Sequence, residues 1–352
     1  MSLTPDALVM AVHHGEPVVE VSAAGLDLQR TPLRGGFFHA VDFSGANLAG
    51  ADLRESTFDT CDFSGANLES AVARGATFNR CRFSRVKARG SFWMLSKLIE
   101  CGLVDGDFSG TDWSLANVLQ SRLDRSNFNA AQMQQANLIE CSFVKASLRD
   151  VHMHQTVLSA CRLDEADFAF AHCALTLFYG MDLSKRSFAG QALVGCQFQQ
   201  TSVAGCDFTG TQLDQCNFTG ADLSGACFSK AQANHAIFAK VRAQGADFGA
   251  AKLRQTLWPA AQLQACRFDG ADLHQAFLER VQMNECSLRD AELTYADFSH
   301  ARLQRVQFDG ATMHRAVFHE VFEQEVSLPQ RKHVLGTDDT RKKAEQWGRQ
   351  PA

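Results

Sequence analysis

Residues 41–58 read Val41-Asp42-Phe43-Ser44-Gly45-Ala46-Asn47-Leu48-Ala49-Gly50-Ala51-Asp52-Leu53-Arg54-Glu55-Ser56-Thr57-Phe58. A large apolar residue returns at every fifth position, through Phe43, Leu48, Leu53 and Phe58. Helices bury one face with a period of 3.6 residues and strands with a period of 2, so neither keeps this step. The chain must turn a corner every five residues. Followed outward in both directions, the step runs from Leu28 to Phe318, 59 consecutive centres without a charged residue. Its weakest members, Ala73, Ala88, Cys173, Ala233 and Ala243, are small but uncharged.

A second rule accompanies the first. Two residues before each centre stands Gly, Ala, Ser, Thr, Cys or Val, from Gly36 to Thr176 and again from Cys196 to Ala316. Small side chains there leave room for tight corners. Asp or Asn often falls between the two, as in Ala46-Asn47-Leu48, Ala51-Asp52-Leu53, Ala221-Asp222-Leu223 and Ala271-Asp272-Leu273, where a short polar side chain can bond the backbone of a turn. These residues resemble the pentapeptide-repeat family, whose motif is A(D/N)LXX, over roughly residues 28–320. The resemblance implies an all-β fold, a right-handed quadrilateral parallel β-helix with four pentapeptides per coil, in which the centre and the small residue point inward. Phe fills 18 of the 30 centres ending in 8 but 4 of the 29 ending in 3, so one facing pair of sides should be Phe-rich and the other should carry Leu, Met and Trp. With a rung spacing of about 4.8 Å, nearly fifteen coils predict a rod about 70 Å long.

Three segments follow from this reading. Residues 1–27 are an N-terminal cap: Thr4-Pro5-Asp6 starts a helix that Gly15 stops, and the Val18-Val19-Glu20-Val21 run leads into the first coil. Such a cap would cover the unpaired edge of the stack. Residues 28–320 are the β-helix. Residues 321–352, with Lys332, Arg341, Lys342, Lys343 and Arg349 against Asp338, Asp339 and Glu345, read as a polar, disordered tail. Within the repeats, Met181, Arg186 and Gln191 take three successive small positions while Leu183, Phe188 and Leu193 stay in step. An unpaired arginine in an apolar core costs several kcal/mol, so residues 179–195 contain a looped-out unit, a kink or a junction between two stacks, or else these side chains bend outward.

The repeat also accounts for residues that would elsewhere suggest chemistry. Ten of the twelve cysteines, among them Cys61, Cys81, Cys101, Cys141, Cys161, Cys266 and Cys286, sit at the small inward position, where a thiol serves as a small hydrophobe. There is no CxxC and no basic, apolar leader, so a reduced, cytoplasmic protein is expected. His152, His154 and His172 come with no ligand set, and the Asp content belongs to the motif. Every Gly-rich scrap, such as Ser44-Gly45-Ala46, lies inside a repeat, and no nucleophile motif or phosphate loop occurs. Neither an enzyme nor a cofactor or metal site is expected.

Function must then lie on the outside. The positions after each centre are mostly polar, and three apolar columns at twenty-residue spacing break that rule: Ile99, Leu119 and Ile139; Leu95 and Leu115, with Phe92 and Met94 beside them; and Ile237, Leu257 and Phe277. Contiguous apolar surface marks contacts with a partner, although neighbouring segments could also cover these columns. A basic run, Arg74, Arg80, Arg82, Arg85, Lys87, Arg89 and Lys97, contains no acidic residue between Glu69 and Glu100; it can meet an acidic partner or serve as a solvated surface. Exposed aromatic residues are too sparse for base stacking, so nucleic acid is disfavoured.

Two function classes remain. One is a protein-binding scaffold or adaptor. The opening helix and direct entry into repeats are similar to pentapeptide proteins associated with bacterial type VI secretion, which implies a role in effector loading, assembly or immunity; a translocated effector is a further alternative. The other class is the family's DNA-mimicking members that protect gyrase. Mimicry needs strongly negative surface, and residues 28–320 carry 30 acidic and 28 basic residues.

Overall fold

A corner every five residues gives each twenty-residue coil four straight sides, and residues twenty apart then become lateral neighbours. The computed structural model, which describes residues 4–169, 171–329 and 331–347, has this arrangement as an all-parallel β-solenoid. It divides into two compact units, Met1–Leu177 and Phe178–Ala352.

The N-terminal unit opens with α1 (Pro5–His13), capped by the Thr4 hydroxyl, which accepts from the Ala7 amide at 3.2 Å. Leu8 is the buried residue of this helix. Eight short strands follow at twenty-residue intervals: β1 (Val18–Val19), β2 (Phe37–His39), β3 (Thr57–Asp59), β4 (Thr77–Asn79), β5 (Lys97–Ile99), β6 (Asn117–Leu119), β7 (Asn137–Ile139) and β8 (Val157–Ser159). They pair in sequence order, in parallel and in register, Phe38 opposite Phe58 and Leu98 opposite Val118. The other three sides are joined by single bridges such as Asp42↔Asp62 and Asn47↔Asn67. Strand β9 (Leu177–Tyr179) lies at the boundary between the units.

Corners are β-turns in which an amide reaches back three residues, as Ala46 does to the Phe43 carbonyl at 3.0 Å. The motif's Asp or Asn reinforces them: Asp42 Oδ1 accepts from the Ser44 amide and Asp62 Oδ1 from the Ser64 amide, both at 2.9 Å. Along the rungs the same side chains form ladders, with Asn47 donating to Asp27 at 3.0 Å and Asn67 to Asn47 at 3.1 Å.

The core consists of stacked rings. In the N-terminal unit Phe38, Phe58 and Phe78 stack at centroid distances of 4.7 and 4.9 Å, and Phe43, Phe63 and Phe83 at 5.0 and 4.9 Å. Here the two Phe columns occupy adjacent sides and meet edge-on, so the expected facing pair does not hold in these first coils. The reason is local: Leu48, Leu68 and Ala88 replace Phe on the third side. Trp93 and Trp113 stack at 4.9 Å, and each buried indole N–H donates to a hydroxyl at the preceding small position, Ser91 at 2.7 Å and Thr111 at 2.8 Å. A buried indole needs such a partner.

The C-terminal unit continues the five-residue step. Its strands, β10 (Arg242–Gln244), β11 (Gln262–Gln264), β12 (Gln282–Asn284), β13 (Arg302–Gln304) and β14 (Phe322–Gln324), form one parallel ladder in sequence order. Two Phe columns fill this core from facing sides, Phe188 to Phe268 and Phe198 to Trp258, each stacked internally and edge-on to the other. No unit is looped out around Arg186. Leu183, Phe188 and Leu193 are buried, and the Arg186 and Gln191 carbonyls accept from Asp207 and Gln212 at 2.8 and 2.9 Å, so the ladder runs straight through. Met181 stays buried, whereas Arg186 and Gln191 are half-buried.

Where the sequence suggests a polar tail, the described residues carry β14, a turn of 3₁₀-helix (Arg331–His333) and α2 (Asp339–Trp347). Residue 335 bridges to Val317 as a last rung, and Asp338 caps α2 by accepting from the Thr340 and Arg341 amides. No helix among the described residues is long and apolar enough to cross a membrane.

Candidate binding surfaces

Each pentapeptide presents three positions outward: the residue before the centre on the flat side, and the two after it at the corner. The second corner residue has a left-handed backbone, which costs an ordinary side chain roughly 1 kcal/mol or more. Most of these corners are Gly, Gln, Glu, Arg or Lys. Leu95 (φ 62°), Leu115 (φ 61°) and Tyr295 (φ 62°) place large apolar groups there, and all three are exposed.

In the N-terminal unit, the predicted columns do not merge into one patch. Leu95 and Leu115 lie at one corner with Phe92 and half-buried Met94, while Ile99, Leu119 and Ile139, all half-buried and in register on β5–β7, lie at the next. Between them runs a polar ladder of Lys97, Asn117 and Asn137, the last donating to Asn117 Oδ1 at 2.9 Å.

The basic run is likewise dispersed. One coil takes twenty residues to circle the core, so Arg80, Arg82, Arg85, Lys87, Arg89 and Lys97 fall on successive sides and corners instead of one face, with Arg74 on the coil before. Two of them are matched to acids of the preceding coil, Arg80 to Asp59 at 2.8 Å and Arg82 to Asp62 at 2.7 Å. The Arg80 hydrogen bond is the main reason that the Asp59 carboxyl lies below its ordinary range.

The third column gathers most. Ile237, Leu257 and Phe277 are bridged rung to rung, and Phe277 is 50% exposed. Beside them the left-handed corner column carries His235, Gln255, Gln275 and Tyr295, which with Phe277 line a cavity of about 500 Å³. Gln255 donates to Gln275 at 2.7 Å. The Tyr295 ring meets His274 and His314 edge-on at 5.8 and 6.0 Å, and the Arg315 guanidinium carbon lies 6.0 Å above its centroid. In the sequence Ile237, Leu257 and Phe277 form one twenty-residue column, which continues to Asp297; Tyr295 ends the neighbouring column of His235, Gln255 and Gln275, and is found only when that mostly polar column is followed as well.

One cluster has metal-binding residue types. His300 Nε2 and His319 Nε2 lie 3.0 and 3.5 Å from Glu345 Oε2 on α2. However, His319 Nδ1 accepts the Asp338 amide at 3.1 Å, which assigns the ring proton to Nε2. A metal on Nε2 would require that proton to leave a ring whose other nitrogen is already an acceptor. The arrangement is instead a clasp for α2, joined by Arg341 Nε to Glu345 at 2.8 Å, Arg341 to Ser299 at 3.1 Å and Lys342 to Glu320 at 2.9 Å. Burial alone would raise the Glu345 carboxyl; hydrogen bonds from Arg341 and His300 outweigh it and hold the group at about 2.

All twelve cysteines are free thiols, and all but Cys227 are buried. Several of their Sγ atoms donate to core carbonyls, as Cys81 does to Phe58 at 3.4 Å. Cys101 and Cys61 on the flanking coils, together with burial, push the Cys81 thiol well above its ordinary value, and burial takes Cys206 up to about 11. At these buried positions the thiols act as small core-filling groups.

Family models described as pentapeptide repeats match residues 27–87, residues 101–138, 192–229 and 291–321, and, as a pentapeptide repeat region, residues 211–283. No curated protein sequence matches the chain. Among solved structures, it is similar to full-length QnrB1, a plasmid-mediated fluoroquinolone resistance protein, at 17% identity over 59% of this chain and 84% of that one, with a TM-score of 0.32. HetL, involved in heterocyst differentiation regulation in the cyanobacterium Nostoc sp. strain PCC 7120, is 18% identical over 93% and 95% of the two chains, with a TM-score of 0.17. A pentapeptide repeat protein of the Arabidopsis thaliana thylakoid lumen is 22% identical over 46% and 81%, with a TM-score of 0.17.

Proposed function

The chain belongs to the pentapeptide-repeat family, and from that premise we propose that it is a non-catalytic protein-binding scaffold whose main contact is the corner formed by Ile237, Leu257, Phe277 and Tyr295. The observation that carries this reading is the pairing of Phe277 and Tyr295, 50% and 44% exposed, around one cavity. Exposed aromatic anchors beside a pocket, rimmed by His and Gln, have the composition of an interface centre. The leucines at strained corners, Leu95 and Leu115, supply a second, smaller contact in the N-terminal unit. The free thiols suit a reducing compartment, and we place the protein in the cytoplasm of a bacterium. Within this role, loading or assembly in type VI secretion, or immunity, accords with the α1-then-repeat opening.

The test is affinity capture from bacterial lysate with wild type and with Phe277→Ser/Tyr295→Ser, followed by titration of the purified captured protein. A partner whose affinity falls at least tenfold with the double substitution supports the corner as the contact. Equal binding by both forms sinks it. Recovery of gyrase with inhibited supercoiling would replace the scaffold reading by topoisomerase protection.

A further inference from the structure

The outward side chains of β10–β14 are unlike the rest of their unit. They are Arg242, Gln244, Gln262, Gln264, Gln282, Asn284, Arg302, Gln304, Phe322 and Gln324, with no acid among them. Other sides of the unit bear Asp207, Asp247, Asp272, Glu292 and Asp297 at the equivalent positions. Together the strands form a trench of about 560 Å³, floored by backbone and walled by two columns. The far column is tied internally, Asn284 donating to Gln264 at 2.7 Å and Gln264 to Glu285 at 3.0 Å. Among the described residues, no side-chain hydrogen bond or ion pair holds Arg242, Gln262, Gln282 or Arg302, so this column offers two free guanidiniums and two free amides on consecutive rungs. The carboxylate lining the trench, Asp222, sits at one end and is engaged by the Ser224 amide and hydroxyl. At the other end, α2 packs against the corner that precedes Arg302 and Phe322, with Arg341 paired to Glu345 and Lys342 to Glu320.

We infer that this trench binds an extended acidic peptide of a partner protein, lying along the solenoid axis with two carboxylates on Arg242 and Arg302 and its backbone amides on Gln262 and Gln282. Charge complementarity supplies the argument: a strip with two unpaired guanidiniums, two amides and no acid selects an anionic chain that also carries donors and acceptors. Spacing sets the motif. Arg242 and Arg302 are three rungs apart, about 14 Å. An extended peptide covers that distance in four residues, and residues i and i+4 of a strand face the same way, whereas i and i+3 face opposite ways. The motif is therefore Asp or Glu at i and i+4. The absence of a stacking aromatic beyond Phe322 disfavours single-stranded nucleic acid.

This inference shares with the scaffold reading only that the ligand is a protein segment, and it uses a different surface. Fluorescence anisotropy at low salt tests it with labelled ten-residue Gly/Ser/Thr peptides that carry two glutamates, either four or three residues apart. The i,i+4 peptide should bind roughly tenfold tighter than the i,i+3 peptide, and Arg242→Gln/Arg302→Gln should erase the difference. Phe277→Ser should leave it unchanged, so failure here is separable from failure at the aromatic corner. Absence of binding at millimolar protein, equal binding of the two peptides, indifference to the double substitution, or tighter binding of an oligouronate or single-stranded DNA of equal charge would each overturn it. The three substituted side chains, Arg242, Arg302 and Phe277, are exposed, and an unchanged circular dichroism spectrum controls for folding.

Discussion

Phe208→Ala probes whether the five-residue step is truly a burial step. Phe208 is fully buried and stacks on Phe188 at 5.2 Å and Phe228 at 4.8 Å, with edge contacts to Phe198 at 6.2 Å and Phe218 at 6.1 Å. Truncation removes the ring's transfer free energy, about 2–3 kcal/mol, and part of four aromatic contacts, each worth about 0.5–1.5 kcal/mol beyond area. A coil held above and below by hydrogen-bonded rungs collapses little into the void, so the total should fall at about 3–5 kcal/mol, in the range of Phe→Ala in rigid cores. Phe277→Ala, at an exposed position of the same unit, should change stability by no more than about 0.5 kcal/mol. Guanidinium denaturation of both variants reads the contrast as a shift in midpoint, with the slope checked because solenoids can lose cooperativity along the stack. A loss under about 1 kcal/mol for Phe208→Ala, or equal losses for the two, would refute inward-facing centres.

Three other outcomes are expected. Thr111→Val keeps the shape of the site but strips the acceptor from the Trp113 indole, and should cost about 1–3 kcal/mol in the same denaturation assay. Glu345 has a folded value of about 2 against an ordinary 4.5, so the clasp's contribution is present above about pH 4.5 and is lost as pH falls toward 2; hydrogen exchange in residues 339–347 should rise across that window in wild type and be high throughout in Glu345→Gln. In the native protein at pH 8, a thiol reagent followed by mass spectrometry should modify half-buried Cys227 first, and Cys81 and Cys206 only after denaturation, since the neighbouring Cys101 and Cys61 together with burial hold Cys81, and burial holds Cys206, as thiols.

What could be read from the sequence divides along the wall of the solenoid. Inside, most positions accept a narrow chemistry, an apolar residue at the centre and a small residue two before it, because most alternatives leave a void or a buried charge; Arg186 and Gln191 are kept by staying half-buried. That constraint is why the all-β solenoid and its core could be written down from Leu28 onward. Even Trp93 and Trp113 carry their signature in the Ser or Thr two places earlier. At the corners the backbone asks only for tolerance of a left-handed turn, and many side chains meet that demand. The sequence therefore could not say that Arg74 to Lys97 would be spread around a coil, since linear neighbours diverge while residues twenty apart converge. It did hold the trench and the aromatic corner, but in columns: Arg242, Gln262, Gln282 and Arg302 are visible only when the chain is read every twentieth residue for polar as well as apolar character. Helix α2 was hidden for the opposite reason. Its segment, Asp339 to Trp347, buries no residue and so lacks the apolar periodicity by which helices are recognised. Its place is set by ion pairs from Glu345, Arg341 and Lys342 to His300 and Glu320 and within the helix, contacts that exist only once the last coils have formed. A surface specified this way can change partners without disturbing the core, because every residue named in the trench and corner can be replaced without emptying a single inward position.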